Sequence, residues 1–454
     1  MSKSLFHTFE AVSSKAWKQK IQMDLKGADY NDTLIWKTKE DINVKPFYHA
    51  DEFSTLPPIS KSKATRWKIG QVITVKAAEA ANTKALEALK RGANHILFHI
   101  TSSEISIADL LRDIDLNTLS VTISCESLDA ETLIKQCPKS PNVNVRTDII
   151  GHLAKTGNWY QNLKKDHQQF ESLVKTFGQL NIDLETYQNA GATMVQQLAY
   201  GLAHANEYLN HLDTVLNVEE KQKLDVRFHV AVGSNYFFEM AKIRALRQLW
   251  ESLAKAYDVN TNCAITATPS LRNKTIYDYN VNMLRTTTEC MSAVLGGADV
   301  VYNTAYDALF HHSNEFGERI ARNQLLILKN ESYLDKVNNP ADGAYYIERL
   351  TTQLAENALG IFKTLEANGG FLKQLKEGTI QRKIKESAAK EQADFNAETL
   401  VLLGTNKHPN WDDKMKNNLE KQPFLKVEKR KTLIEPVIQK RLAEALEINR
   451  LHKE

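Results

Sequence analysis

The chain of 454 residues has only four cysteines, Cys125, Cys137, Cys263 and Cys290, and no Cys-x-x-Cys pair among them. So sparse a set indicates neither a disulfide framework nor a zinc site, and three of the four fall in apolar stretches where a thiol behaves as a small hydrophobe. No apolar run approaches the roughly 18 residues that cross a bilayer, so a soluble chain with no membrane partner is expected. The amino terminus, MSKSLFHTFEAVSSKAWKQK, lacks an apolar secretory core and carries Glu10, which points to the cytoplasm. An excess of one charge is missing too: 58 basic and 55 acidic residues leave +3, too balanced for a nucleic-acid partner. After Lys414 lysines and glutamates alternate, the pattern of a solvated helix. Gly191, Gly233 and Gly343 lie in no Gly-x-Gly-x-x-Gly context, so backbone geometry is their expected role, not phosphate binding.

What is present is alternation. Runs rich in Val, Ile and Thr at 68–75, 95–100, 119–125, 142–149, 181–187, 227–233, 263–270 and 299–305 are each followed by a helix-period stretch. The clearest helices are 190–212, 236–257 and 279–295, with Met240, Ile243, Leu246, Leu249 and Leu253 in helical phase. Eight such units predict an α/β fold, a closed (β/α)8 TIM barrel, in preference to an open doubly wound sheet. The expected division is an extension at 1–60, the barrel at 61–335, a helical appendix at 336–415 and a terminal linker helix at 416–454. The extension has one amphipathic helix at 11–24, and its aromatic and apolar residues Phe6, Phe9, Trp17, Ile21 and Trp36 have no core of their own, so they must pack on the barrel or on another chain. Beyond the barrel, helices are expected at 347–366, 383–395 and 433–452.

Between Asn314 and Asn368 the order of elements is particular. Arg-Ile-Ala-Arg-Asn (Arg319 to Asn323), then Glu331 and Ser332, then Asn-Pro-x-x-Gly-x-Tyr-Tyr-Ile-Glu-x-Leu-Thr (Asn339 to Thr351) resembles the methylmalonyl-CoA mutase family. The resemblance is strong over about residues 180–410 and includes Leu403 to Lys407, similar to a short family strand. It implies radical rearrangement of acyl-CoA thioesters with adenosylcobalamin held on a separate carboxy-terminal domain, whose Asp-x-His-x-x-Gly motif supplies the cobalt ligand. None of the 13 histidines here stands in such a motif, so no cofactor is expected on this chain.

The family's functional positions depart from its pattern. Catalytic members read Gly-Tyr-His-x-Gln-x-Ala-Gly-Ala-Thr after the fifth strand; here Gln188 and Ala190 to Thr193 match, but Glu185 replaces the Tyr and Thr186 the His. Threonine has no group titrating near neutrality and cannot act as the imidazole does. On the seventh strand the acyl-CoA-binding Arg-Thr-His-x-Gln becomes Ala264, Thr266 and Thr268 at its three functional places, and the cation that could pair with a carboxylate is gone. No counterpart of Tyr-x-Gly-Arg-Pro-Trp-x-x-Arg is found before the first strand.

The resemblance therefore implies a non-catalytic small subunit. Its expected partner is a separately encoded catalytic large subunit, which carries adenosylcobalamin and interconverts (R)-methylmalonyl-CoA and succinyl-CoA; without it, a second copy of this chain is the expected partner. Residues 1–60 are expected to wrap that partner. The alternatives are an acyl-CoA-binding barrel served by a free cobalamin-domain chain, or a module that binds CoA esters without turnover. Glu185, Gln188, Asn235 and Asn303 could line a remnant pocket, water-filled or plugged. His311 and His312 are expected as a surface pair without metal, and Asp307 without chemistry.

Overall fold

The computed structural model describes residues 10–454 except 56, 58, 61, 63 and 426–429, so the expected contacts of Phe6 and Phe9 lie outside the described residues. Eight parallel strands form the barrel: β1 (Lys68–Val75), β2 (His95–Ile100), β3 (Ser120–Cys125), β4 (Val143–Arg146), β5 (Gln179–Asp183), β6 (Asp225–Val232), β7 (Cys263–Pro269) and β8 (Val300–Tyr302). Their order in space is β4-β3-β2-β1-β8-β7-β6-β5, which curls until β4 and β5 meet. Outward side chains such as Ile69, Ile73 and Phe98 are buried. The helix Tyr236–Ala256 covers its part of that surface with the in-phase Met240, Ile243, Leu246, Leu249 and Leu253. The fold is the (β/α)8 TIM barrel that the alternation predicts.

Seven junctions are backbone ladders; between β4 and β5 side chains take their place. The Gln179 amide acts as a surrogate strand: its Nε2 donates to Val143 O (2.7 Å) and its Oε1 accepts from Val145 N (2.9 Å). Higher up, Asn181 Nδ2 donates to Val145 O (3.1 Å) and Arg146 donates to Asp183 Oδ2 (3.0 Å). Asp148, just past β4, completes the seam by accepting from Asp183 N at 2.8 Å, while its other oxygen accepts from Gly151 N, His204 Nε2 and Tyr208 OH. Burial opposes ionisation of Asp148, but His204 and these donors outweigh it and hold the carboxyl below its usual range.

The axis at this level is polar where barrels are commonly filled by Val, Ile and Leu. Asn181 Oδ1 accepts from both Asn144 Nδ2 and His229 Nε2, each at 3.1 Å. His95 bonds the hydroxyls of Ser120 (2.6 Å) and Thr122 (3.1 Å). Tyr302 points its ring across the axis, with its hydroxyl on Thr122. A Cβ at Gly70 would fall inside that ring, which is why β1 carries glycine there. Burial depresses both imidazoles, His95 to about 3.

The extension divides in two. Its strand pair, Trp36–Lys37 with Asn43–Val44, folds onto its own barrel: Trp36 meets Phe238 edge-on at 5.8 Å and Tyr48 meets Tyr346 at 5.3 Å. Between the strands, Glu40 accepts from Met194 N (2.9 Å) and Val195 N (2.8 Å), an anion on a helix amino terminus. The helix Ser14–Asp24, capped by Ser13, buries no residue. Its Trp17 stacks on Phe47 at 4.2 Å yet stays 45% exposed, and Met23 is 75% exposed.

Several expected elements are corrected. β5 ends at Asp183, not 187, because Glu185–Asn189 closes into a short helix. Residues 403–407 form a tight turn with one bridge instead of a strand, Gly404 N donating to Lys407 O (2.8 Å). The terminal helix covers only Glu444–Leu451: Pro436 cannot continue a helix, and the backbone donors before it bond to barrel loops. Nor is the Lys-rich stretch after Lys414 helical among the described residues; Met415 is buried beside Ile276, Tyr277 and Phe310, and the Glu454 carboxylate accepts from Met415 N and Lys416 N, both at 2.9 Å.

Two outcomes are expected. Gln179→Leu orphans two buried backbone groups, so urea titration should show a loss of about 1–3 kcal/mol for each. His95 is neutral when folded and takes a proton only near pH 3, whereas the unfolded chain takes one near 6.5. Stability should therefore fall as pH drops through that window, by about 1.4 kcal/mol per pH unit for such a group. His95→Gln should flatten the dependence of the urea midpoint on pH between 7 and 4.

Candidate functional site

Barrel chemistry sits at the carboxy-terminal strand ends, so the loops after β4, β5, β6 and β7 form the candidate site. After β5 the matching residues are scaffold. Gly191 has φ +96°, and a Cβ there would press on Ala388 and the Arg272 guanidinium. Thr193 caps the helix Met194–Leu212, its hydroxyl accepting from Gln196 N (3.2 Å) while Gln196 Oε1 accepts from Thr193 N (2.9 Å). Gln188 is consumed internally: Lys242 Nζ donates to its Oε1 (2.8 Å) and its Nε2 donates to Glu239 Oε1 (3.1 Å).

The substituted positions also make internal contacts. Glu185 Oε1 accepts from Thr268 Oγ1 at 3.2 Å, and burial pushes its carboxyl up against the pull of Arg146. Ala264, Thr266 and Thr268 occupy alternate places on β7, with Arg227 beside Ala264 and His229 beside Thr266 in register on β6. The Arg227 guanidinium is tied to Asp225. Thr266 is buried. Thr186 is buried as well, and Gln439 Nε2 donates to its hydroxyl at 3.4 Å from above.

Gln439 belongs to an extended strap that crosses the mouth. Ile434 N donates to Gly157 O (3.1 Å) and Val437 N to Ala154 O (2.8 Å), both at the carboxy-terminal end of the helix Ile149–Thr156 that follows β4. Lys440 N donates to Asn189 O (3.0 Å) after β5, and Leu442 N to Arg272 O (2.9 Å) after β7. Ile434, Val437 and Leu442 are buried. Gly157, at φ +80°, lets the strap approach: a Cβ there would lie 2.6 Å from Ile434 O.

A cavity of about 810 Å³ lies beside the strap, between the loops after β5 to β7, the extension at Trp36 to Glu40 and the helix Thr379–Asn396. Gln188 and Asn235 both line it. Asn303 is placed elsewhere, its amide donating to Ala321 O (3.0 Å) and Gln324 Oε1 (2.9 Å). Glu185 faces Thr268 and Arg146 at the barrel axis. The polar groups at the cavity floor satisfy one another, since Lys242 also donates to Gln197 Oε1 and Ala231 O.

His311 bonds Asp307 (3.0 Å) and Asn418 (3.2 Å), and Asp307 also accepts from Asn314, so the pair of histidines serves a loop joint. No group of three or more His, Cys, Asp or Glu among the described residues could hold a metal ion, and no described helix is long and apolar enough to cross a membrane. Residues that motif reasoning missed are Arg146, Asp183, His95, His229, Tyr302 and Glu40. A lone Arg ending a strand and two histidines within strands were the available signals; nothing local marks Glu40.

A model of the methylmalonyl-CoA mutase family matches residues 103–448. The chain is 34% identical to the methylmalonyl-CoA mutase small subunit of Porphyromonas gingivalis, over 90% of this chain and 72% of that protein. It is 26% identical to the small subunit of Streptomyces virginiae, over 89% and 72% of the two chains. Against the methylmalonyl-CoA mutase of Cereibacter sphaeroides it is 29% identical over 87% of this chain, but spans only 64% of that relative. With a family model over most of its length and a relative matched nearly end to end on this side, the chain belongs to the methylmalonyl-CoA mutase family.

Proposed function

We propose that this chain is the small subunit of an adenosylcobalamin-dependent methylmalonyl-CoA mutase, without catalysis of its own. It pairs with a catalytic large subunit that holds the cofactor and interconverts (R)-methylmalonyl-CoA and succinyl-CoA. The observation that carries this reading is the state of the mouth. Thr186, at the place of the catalytic histidine, is buried beneath Gln439, and Tyr302 lies across the axis over Gly70. An acyl thioester entering along the axis would meet these side chains, and the open space lies to one side, in the cavity lined by Gln188 and Asn235.

The chain's residues would act by holding a rigid barrel and an interface. In the extension, the helix Ser14–Asp24 buries no residue and presents Trp17 and Met23 at 45% and 75% exposure, with Val12 exposed just before its cap. Burying such side chains in a partner contributes to affinity out of proportion to their number.

Two measurements test this. Calorimetric titration of the purified chain with adenosylcobalamin and with succinyl-CoA should give no saturable binding, and no isomerisation should be seen without the large subunit. Stoichiometric binding of a CoA ester alone would favour the CoA-ester module instead. Trp17→Ala with Met23→Ala should leave circular dichroism unchanged and weaken association with the large subunit at least tenfold by sedimentation. Unchanged affinity would place the docking surface elsewhere.

A further inference from the structure

The strap and the seam lie one above the other. The β4/β5 junction is the only one of the eight without a backbone ladder among the described residues, and the strap is hydrogen-bonded to the loops on both sides of it. On the β4 side Val437 N reaches Ala154 O and Ile434 N reaches Gly157 O; on the β5 side Lys440 N reaches Asn189 O. Only two residues, Ile438 and Gln439, separate Val437 from Lys440, so the strap spans the seam within four residues. From below, Arg272 NH1 donates to Lys440 O (2.7 Å), and Gln381 Nε2 donates to Glu435 O (2.7 Å), fixing the strap to two further elements.

Each observation taken separately is ordinary; together they describe a fastening. Side chains close the lower seam, and side chains rearrange more readily than a ladder because each bond depends on rotamers as well as on backbone. If the seam parted, the first groups wetted would be the polar axis residues Asn144, Asn181 and His229, whose exposure costs less than that of an aliphatic layer. The seam is therefore the line of least resistance, and the strap lies where it resists parting. We infer that residues 433–442 act as a clasp that keeps the barrel shut along β4/β5, doing with the chain's own backbone what no ligand at the mouth is needed to do, and that release of the clasp opens the barrel along this one line. The inference is independent of the proposed subunit role.

Two seam amides report opening directly. Val145 N donates to Gln179 Oε1 and Asp183 N to Asp148 Oδ2, so both are protected while the β4/β5 seam is closed. Hydrogen–deuterium exchange on the full chain, resolved by peptide, compares three substitutions. Val437→Pro and Lys440→Pro each remove a strap donor; Ile438→Pro, at a residue 37% exposed, is the control. The expected result is at least tenfold faster exchange in peptides covering 143–146 and 179–183 for the first two, with β1, β2, β7 and β8 and the control unchanged. Exchange that stays at the parental rate in the seam peptides overturns the clasp. So does a uniform rise across all eight strands, which would mean the strap contributes only general stability. A variant that fails to fold is replaced by Gln381→Ala, which releases the strap at Glu435 O together with a local bond to Leu375 O and carries the same two outcomes.

Discussion

Closure of this barrel depends on a handful of amide and carboxylate side chains between β4 and β5. Gln179 supplies the donor and acceptor that a neighbouring strand would supply, and Asp148 gathers four donors from β5, its own helix and the helix Met194–Leu212. Much of the axis chemistry follows from that choice. Asn181 must turn inward to reach Val145 O, its carbonyl then needs donors, and Asn144 and His229 provide them. A polar inner layer with neutral imidazoles is the consequence of closing a sheet with side chains, because buried amides must be satisfied by further polar groups.

The motifs by which the family is recognised turn out to be geometric. In the Asn-Pro-x-x-Gly turn, Asn339 Nδ2 donates to Asp342 Oδ2 (2.9 Å), Gly343 adopts φ +80° and its N–H meets Glu348 Oε1 (3.0 Å). Arg244 reaches both Asp342 and Glu348, locking this turn to the helix Tyr236–Ala256. Gly191 and Thr193 are likewise fixed by a positive φ and a helix cap. Such positions are constrained by the backbone whatever the barrel does. Glu185, Thr186 and Thr268 instead use their side chains on neighbours, Glu185 on Thr268 and Arg146 and Thr186 on Gln439, contacts that fix no backbone conformation.

That division explains what the sequence disclosed. Alternation gave the eight strands within a few residues, because burial on one face imposes a period that composition preserves. It overran β5, since Leu184, Thr186 and Tyr187 are residue types that suit a strand, while the backbone turns into the helix Glu185–Asn189. The expected helix at 433–452 failed over its first half for a tertiary reason: the N–H groups of Ile434, Val437 and Lys440 have acceptors on loops far away in the chain, which no local pattern records. Gln188 and Asn235 line one cavity, whereas Asn303 is drawn to the helix Glu315–Leu326 by a contact 18 residues on.

The strap and Tyr302 solve one problem from two sides. A barrel whose mouth is open and polar is held only by its ladders, and here one ladder is missing. Filling the axis with an aromatic ring adds contact inside, and Gly70 is the concession that makes room for it. Fastening the outer loops with a strap restrains them from outside, and Gly157 makes the corresponding concession there. Both devices act at the mouth, the ring from the axis and the strap from the rim, so each needs a glycine where the backbone comes too close for a side chain.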